Sequence, residues 1–95
     1  MTIKCVECYY LEQGLCDDKY RNFIIDTLSD VDITFFIFNE DSMNKLIQLG
    51  VKARLLPIFV FLDDSGNLVR FATGLLKPIH IRCEIEELQL IKSLN

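Results

Sequence analysis

The sequence predicts an α/β fold: a four-stranded mixed sheet flanked by helices, with elements in the order β-α-β-α-β-β-α. Three observations predict it. Residues 54–74 hold two apolar runs separated by Asp-Asp-Ser-Gly-Asn, the pattern of a β-hairpin. Two earlier runs, at residues 2–11 and 33–38, are rich in β-branched and aromatic residues. Between and after them the apolar spacing changes to a period of 3.6, the mark of amphipathic helices.

Residues 2–11 (TIKCVECYYL) have no helical cap before them and read as the first strand. Gln13-Gly14-Leu15 breaks that pattern at a turn. From Cys16 onward Tyr20, Phe23, Ile24, Thr27 and Leu28 recur on one helical face, with Asp17 and Asp18 in the first turn, where acidic groups suit the helix dipole. Residues 29–32 form a polar connection. The run ITFFIF at 33–38 has the continuous apolar character of a strand covered on both faces.

Asn39-Glu40-Asp41-Ser42 supplies turn and N-cap chemistry for a short helix at residues 43–49, and Gly50 suits its C-terminal cap. In the hairpin, residues 58–62 are apolar without interruption and read as a strand buried on both faces. Leu68–Thr73, interrupted by Arg70, reads as a strand nearer an edge. Pro57 has no N–H to give a ladder, so it belongs at or just before the start of its strand. Gly74 breaks the chain, and Pro78 leads into a last helix with Ile81, Ile85, Leu88 and Ile91 on one side. A crossover through a helix makes the first two strands parallel, and the short turn makes the last two antiparallel.

With 95 residues, of which 51% are hydrophobic, the chain fits one globular domain spanning residues 1–95. No apolar run reaches the roughly 18 residues a membrane span needs, and the first residues lack the pattern of a secretory leader, so a cytoplasmic location is expected. Ten basic residues against 14 acidic ones, without a basic cluster, argue against a nucleic-acid partner. Four cysteines without a leader point to packing, metal binding or redox chemistry rather than a secreted disulfide framework.

Leu56-Pro57, the apolar strand after it, the Gly-containing turn, the second strand and Gly74 resemble the cis-proline loop and terminal hairpin of the thioredoxin-like superfamily. In that family the second cysteine of the active-site C-x-x-C lies about forty residues before the cis-proline, and here Cys16 lies 41 positions before Pro57. The resemblance covers nearly the whole chain and implies a thioredoxin-like fold. It also implies thiol–disulfide exchange at Cys16, a substrate groove beside Leu56 and Pro57 that includes Gln13 and Gly14, a protein or small-thiol disulfide as substrate, and no cofactor. The same frame puts Gln13 where the family has its attacking cysteine, and Glu7 where it has a buried acid able to move protons for a nearby thiol.

The chain's own C-x-x-C, Cys5-Val6-Glu7-Cys8, falls inside the first strand, where residues three apart point to opposite faces and do not close a disulfide without distortion. Cys16, with or without Cys8, is thus the candidate thiol. Helix N–H groups would favour its thiolate, whereas Asp17 and Asp18 would repel it and Lys19 would offset part of that repulsion. Two alternatives stand beside exchange. The departure at Gln13 suits a non-catalytic module that keeps the groove for binding protein. The spacing C-x2-C-x7-C of Cys5, Cys8 and Cys16 suits a metal site completed by Cys83 or His80. Outside these roles, Cys83, His80 and the aromatic residues at strand positions read as structural.

Overall fold

The structure, a computed structural model, describes residues 3–53 and 55–94, the last four of these by backbone alone. Thr2, Arg54 and the side chain of Ile91 lie outside the described residues. The elements are β1 (Ile3–Tyr10), α1 (Asp18–Thr27), β2 (Asp32–Ile37), α2 (Glu40–Leu49), β3 (Ile58–Asp63), β4 (Leu68–Thr73) and α3 (Pro78–Leu94). Their order is the expected one. The sheet runs β2-β1-β3-β4, with β1 parallel to β2 and antiparallel to β3, and β3 antiparallel to β4.

Because side chains alternate along a strand, the sheet sorts its residues into two layers. Val6, Cys8 and Tyr10 of β1 join Phe59 and Phe61 of β3 against Ile24 and Leu28 at α1 and Ile81, Ile85 and Leu88 of α3. On the other face Tyr9, Ile58, Val60 and Leu62 pack with Leu46 of α2 and Val51. Phe59 and Phe61 are fully buried, each contributing about 2–3 kcal/mol of apolar transfer. The unbroken run of β3 is thus explained: it is a central strand covered on both sides.

Two expectations need correcting. The equally apolar β2 is an edge strand, and its residues alternate between exposed and half-buried. An apolar run reports which side chains are available for burial, not how many neighbours the strand has. On α1 only Tyr20, Ile24 and Leu28 face the sheet, while Phe23 and Thr27 are exposed. The contact stripe is narrower than the apolar pattern suggested, since α1 and α3 share one face of a four-stranded sheet.

The helix ends follow local chemistry. Asp17 caps α1, its Oδ1 accepting from the Tyr20 N–H at 2.9 Å. Asn39 and Ser42 form a reciprocal capping box that starts α2 three residues earlier than expected, and Gly50 ends it at φ 88°, a conformation that favours glycine. The Asp63 carboxylate accepts from the N–H groups of Ser65 and Asn67 and so ties the hairpin turn.

Candidate functional site

The site lies where the chain leaves β1 and meets the start of β3. Residues 11–17 fold back over the end of the strand, with Gly14 N–H donating to the Leu11 carbonyl at 3.1 Å. That return sets Cys16 into the α1/α3 core, only 2% exposed, beside the fully buried Cys8. The two thiols lie in the same core cluster. Both are free thiols.

Across from Cys16 the Leu56–Pro57 peptide bond is cis, and Gly74 N–H donates to the Pro57 carbonyl at 2.9 Å, joining the end of β4 to this loop. Between the two segments lies an open groove of about 460 Å³. Leu11, Gly14, Leu15 and Cys16 form one wall; Leu56, Pro57, Gly74 and Leu75 form the other. Among the described residues no charged side chain lines it. Leu15 at its rim is 80% exposed, and Leu55 and Leu75 are exposed as well.

The acidity of the pair is divided. The hydrogen bond from Cys8 stabilises a Cys16 thiolate most, the Arg21 guanidinium adds to it, and burial and Asp17 oppose it; the balance pulls Cys16 below the usual thiol range. The same hydrogen bond, with burial, pushes Cys8 far up. The first proton of the pair therefore leaves from Cys16. The cause differs from the one expected at the sequence level. The Tyr20 N–H of the first turn is taken by Asp17, and the neighbouring cation is Arg21, not Lys19.

Glu7 points to the opposite face of the sheet. Its Oε2 accepts from Lys45 Nζ at 2.8 Å and its Oε1 from the Tyr9 hydroxyl at 2.8 Å. Lys45 also stands over the Phe36 ring at 4.1 Å. Glu7, only 9% exposed, is thus tied to α2, and the structure does not bring it to the Cys8–Cys16 pair. Gln13 is exposed and does not line the groove, whereas Gly14, Leu56 and Pro57 do. Cys5 packs on the same face as Glu7, and burial, then the Glu7 and Asp32 charges, raise its pKa.

Cys5 and Cys8 point to opposite faces, so the three sulfurs of C-x2-C-x7-C do not converge. Among the described residues no group of three His, Cys, Asp or Glu side chains is arranged to hold a metal, which removes the basis of the metal-binding alternative. Cys83 is exposed on α3. Arg21, Leu11 and Leu75 also shape the site and were not singled out from the sequence; Arg21, one helical turn beyond the N-cap, carried the only readable signal.

No family model and no curated protein sequence matches the chain. Solved structures do. A chain from the crystal structure of a complex of ferredoxin:thioredoxin reductase with thioredoxin f2 is 22% identical, with a TM-score of 0.66 over 93% of this chain and 80% of that one. An uncharacterised thioredoxin-like protein from Clostridium perfringens is 15% identical, with a TM-score of 0.60 over 92% and 73%. Thioredoxin from Aeropyrum pernix is 16% identical, with a TM-score of 0.59 over the same shares. The chain therefore has a thioredoxin-like fold. Within it, Gln13 lies in the exposed turn after β1, and the Cys8 and Cys16 thiols come from β1 and from the turn before α1.

Proposed function

We propose that this protein performs thiol–disulfide exchange, with Cys16 as the attacking thiol and Cys8 as the resolving one. The observation that carries the reading is Cys16 at the floor of the groove beside cis-Pro57, with the fully buried Cys8 behind it in the same core cluster. The Cys16 thiolate, its proton already lost to water, attacks one sulfur of a substrate disulfide. That S–S bond breaks, a Cys16–substrate disulfide forms, and the other substrate sulfur leaves as a thiolate. Cys8 gives its proton to this thiolate and attacks the Cys16 sulfur, forming a Cys8–Cys16 disulfide and releasing the second substrate sulfur, which takes a proton from water. Two electrons pass from protein to substrate. An external dithiol returns the pair to its reduced state.

The groove supports a protein substrate over a small charged one. Among the described residues its walls are leucines, proline, glycine and the Cys16 thiol, which suit an apolar segment flanking a disulfide and include no cation to pair with the carboxylates of glutathione. A reductase-bound thioredoxin among the similar structures is in keeping with protein partners.

A second reading, a binding module that uses the groove without chemistry, is favoured by the burial of Cys16 and by Gln13. One experiment separates the two. The reduced, folded protein is exposed to a peptide disulfide with apolar flanks, and the products are mapped by mass spectrometry. Exchange predicts a Cys8–Cys16 disulfide and a reduced peptide. If the peptide binds and all four thiols survive, with alkylation appearing only after unfolding, the binding module is the right description.

A further inference from the structure

Resting on the reading that Cys16 is the reacting thiol, we infer that Arg21 is its positioning residue: the guanidinium clamps the turn that carries Cys16 and holds its sulfur between Cys8 and the groove. Three contacts fix the clamp. Nη1 donates to the Cys16 carbonyl at 2.5 Å, Nη2 is paired with the Asp18 carboxylate, and the guanidinium lies over the Tyr10 ring at 4.4 Å. Tyr10 is the last residue of β1, two positions after Cys8 on the same face of the sheet. Arg21 therefore joins the strand that carries one thiol to the backbone that carries the other.

The geometry needs arginine in particular. One planar fork reaches a carbonyl and a carboxylate while its face rests on an aromatic ring; an ammonium group cannot do all three at once. The position also needs a cation. Asp17 and Asp18 crowd the start of α1, and a thiolate next to them is disfavoured unless a positive charge intervenes. Among the described residues the groups that act on the sulfur are Cys8 from β1, Tyr20 and Arg21 from α1, and Asp17 at the cap. Tyr20 is raised in pKa by burial and by the two thiols, and its hydroxyl donates to the Leu76 carbonyl at 2.5 Å. Among the described residues the opposite wall, from Leu56 and Pro57 to Gly74 and Leu75, has no titratable side chain.

The test is the pH profile of Cys16 alkylation in the folded protein, resolved from the other cysteines by peptide mass mapping, for the natural protein, Arg21→Gln and Arg21→Lys. Removing the cation and the clamp moves the midpoint up by about one unit, a tenfold slower reaction below it. R21K keeps the charge but loses the fork, so its midpoint falls between the other two. A folded R21Q with an unshifted profile overturns the inference and leaves the exchange reading standing. If R21Q does not fold, R21K decides alone, since a midpoint equal to the natural protein's shows that the clamp does not set Cys16. Should Cys16 of the natural protein react only after unfolding, both the exchange reading and the role of Arg21 fall.

Discussion

Replacing Cys8 tests the thiol pair most directly. Cys8 is fully buried, and its hydrogen bond is the largest of the influences that favour the Cys16 thiolate. A hydrogen bond to a charged group contributes about 1.5–3 kcal/mol, and a thiol is a weak donor, so about 1.4 kcal/mol at the low end is the reasonable loss. That equals about one unit of acidity, or tenfold in alkylation rate below the midpoint. Cys8→Ala should raise the Cys16 midpoint by that amount, whereas Cys8→Ser, which keeps an O–H donor, should hold it close to the natural value. Neither variant can form the internal disulfide, so a peptide disulfide should leave both stalled as a mixed disulfide on Cys16. Mass mapping after brief oxidation, beside the alkylation profile, reads both effects. An alanine variant with an unshifted profile, or one that releases reduced peptide at the natural rate, would refute the pairing.

Four further outcomes follow from the same geometry. Lys45→Met should cost about 1–2 kcal/mol by chemical denaturation, because it leaves the buried Glu7 carboxylate with Tyr9 alone; the cost should shrink in a Glu7→Gln background. Leu75→Asp should slow oxidation of the pair by an apolar-flanked peptide disulfide about tenfold while leaving oxidation by a small neutral disulfide unchanged, as expected if the groove selects its substrate by apolar contact. Asp30, held by two hydrogen bonds from Arg82, has its pKa lowered to about 2, so its contribution to stability is complete above the unfolded value near 4 and is lost as the pH falls toward 2; Asp30→Asn should flatten that part of a denaturation–pH curve. Gly50→Ala, at φ 88°, should destabilise the fold by about 1 kcal/mol in a thermal melt although the added carbon meets no neighbouring atom.

The hairpin, the strand–helix alternation and the caps were legible because each depends on local chemistry: Asp63 and Gly66 in the turn, Asn39 with Ser42, Gly50 after α2. The neighbourhood of each strand was not. ITFFIF at the edge and IFVFL in the centre look alike as strings, and only the sheet order separates them. In the site, the spacing from Cys16 to Pro57 located the groove, since it depends on chain order through a known fold. The partner of Cys16 depended instead on how a short turn folds back, and Arg21 on how a side chain reaches behind its own helix. Spacing in the sequence carries no information on either.

Strand parity finally explains why this thiol pair has its unusual spacing. Val6, Cys8 and Tyr10 face α1 and α3, while Cys5, Glu7 and Tyr9 face α2. The return through residues 11–17 delivers Cys16 to the first of these faces only. Of the two earlier cysteines, only Cys8 can therefore meet it, and the C-x-x-C motif read along the strand is divided between two cores. The same parity separates Glu7 from the thiols and gives it to Lys45. With Glu7 turned to the other face and Asp17 opposing the thiolate, the groups that favour it are the Cys8 donor and the Arg21 cation. A site of this kind depends less on the C-x-x-C of a helix start than on keeping the end of β1 and the turn after it in register, which is what the contact between Arg21 and Tyr10 secures.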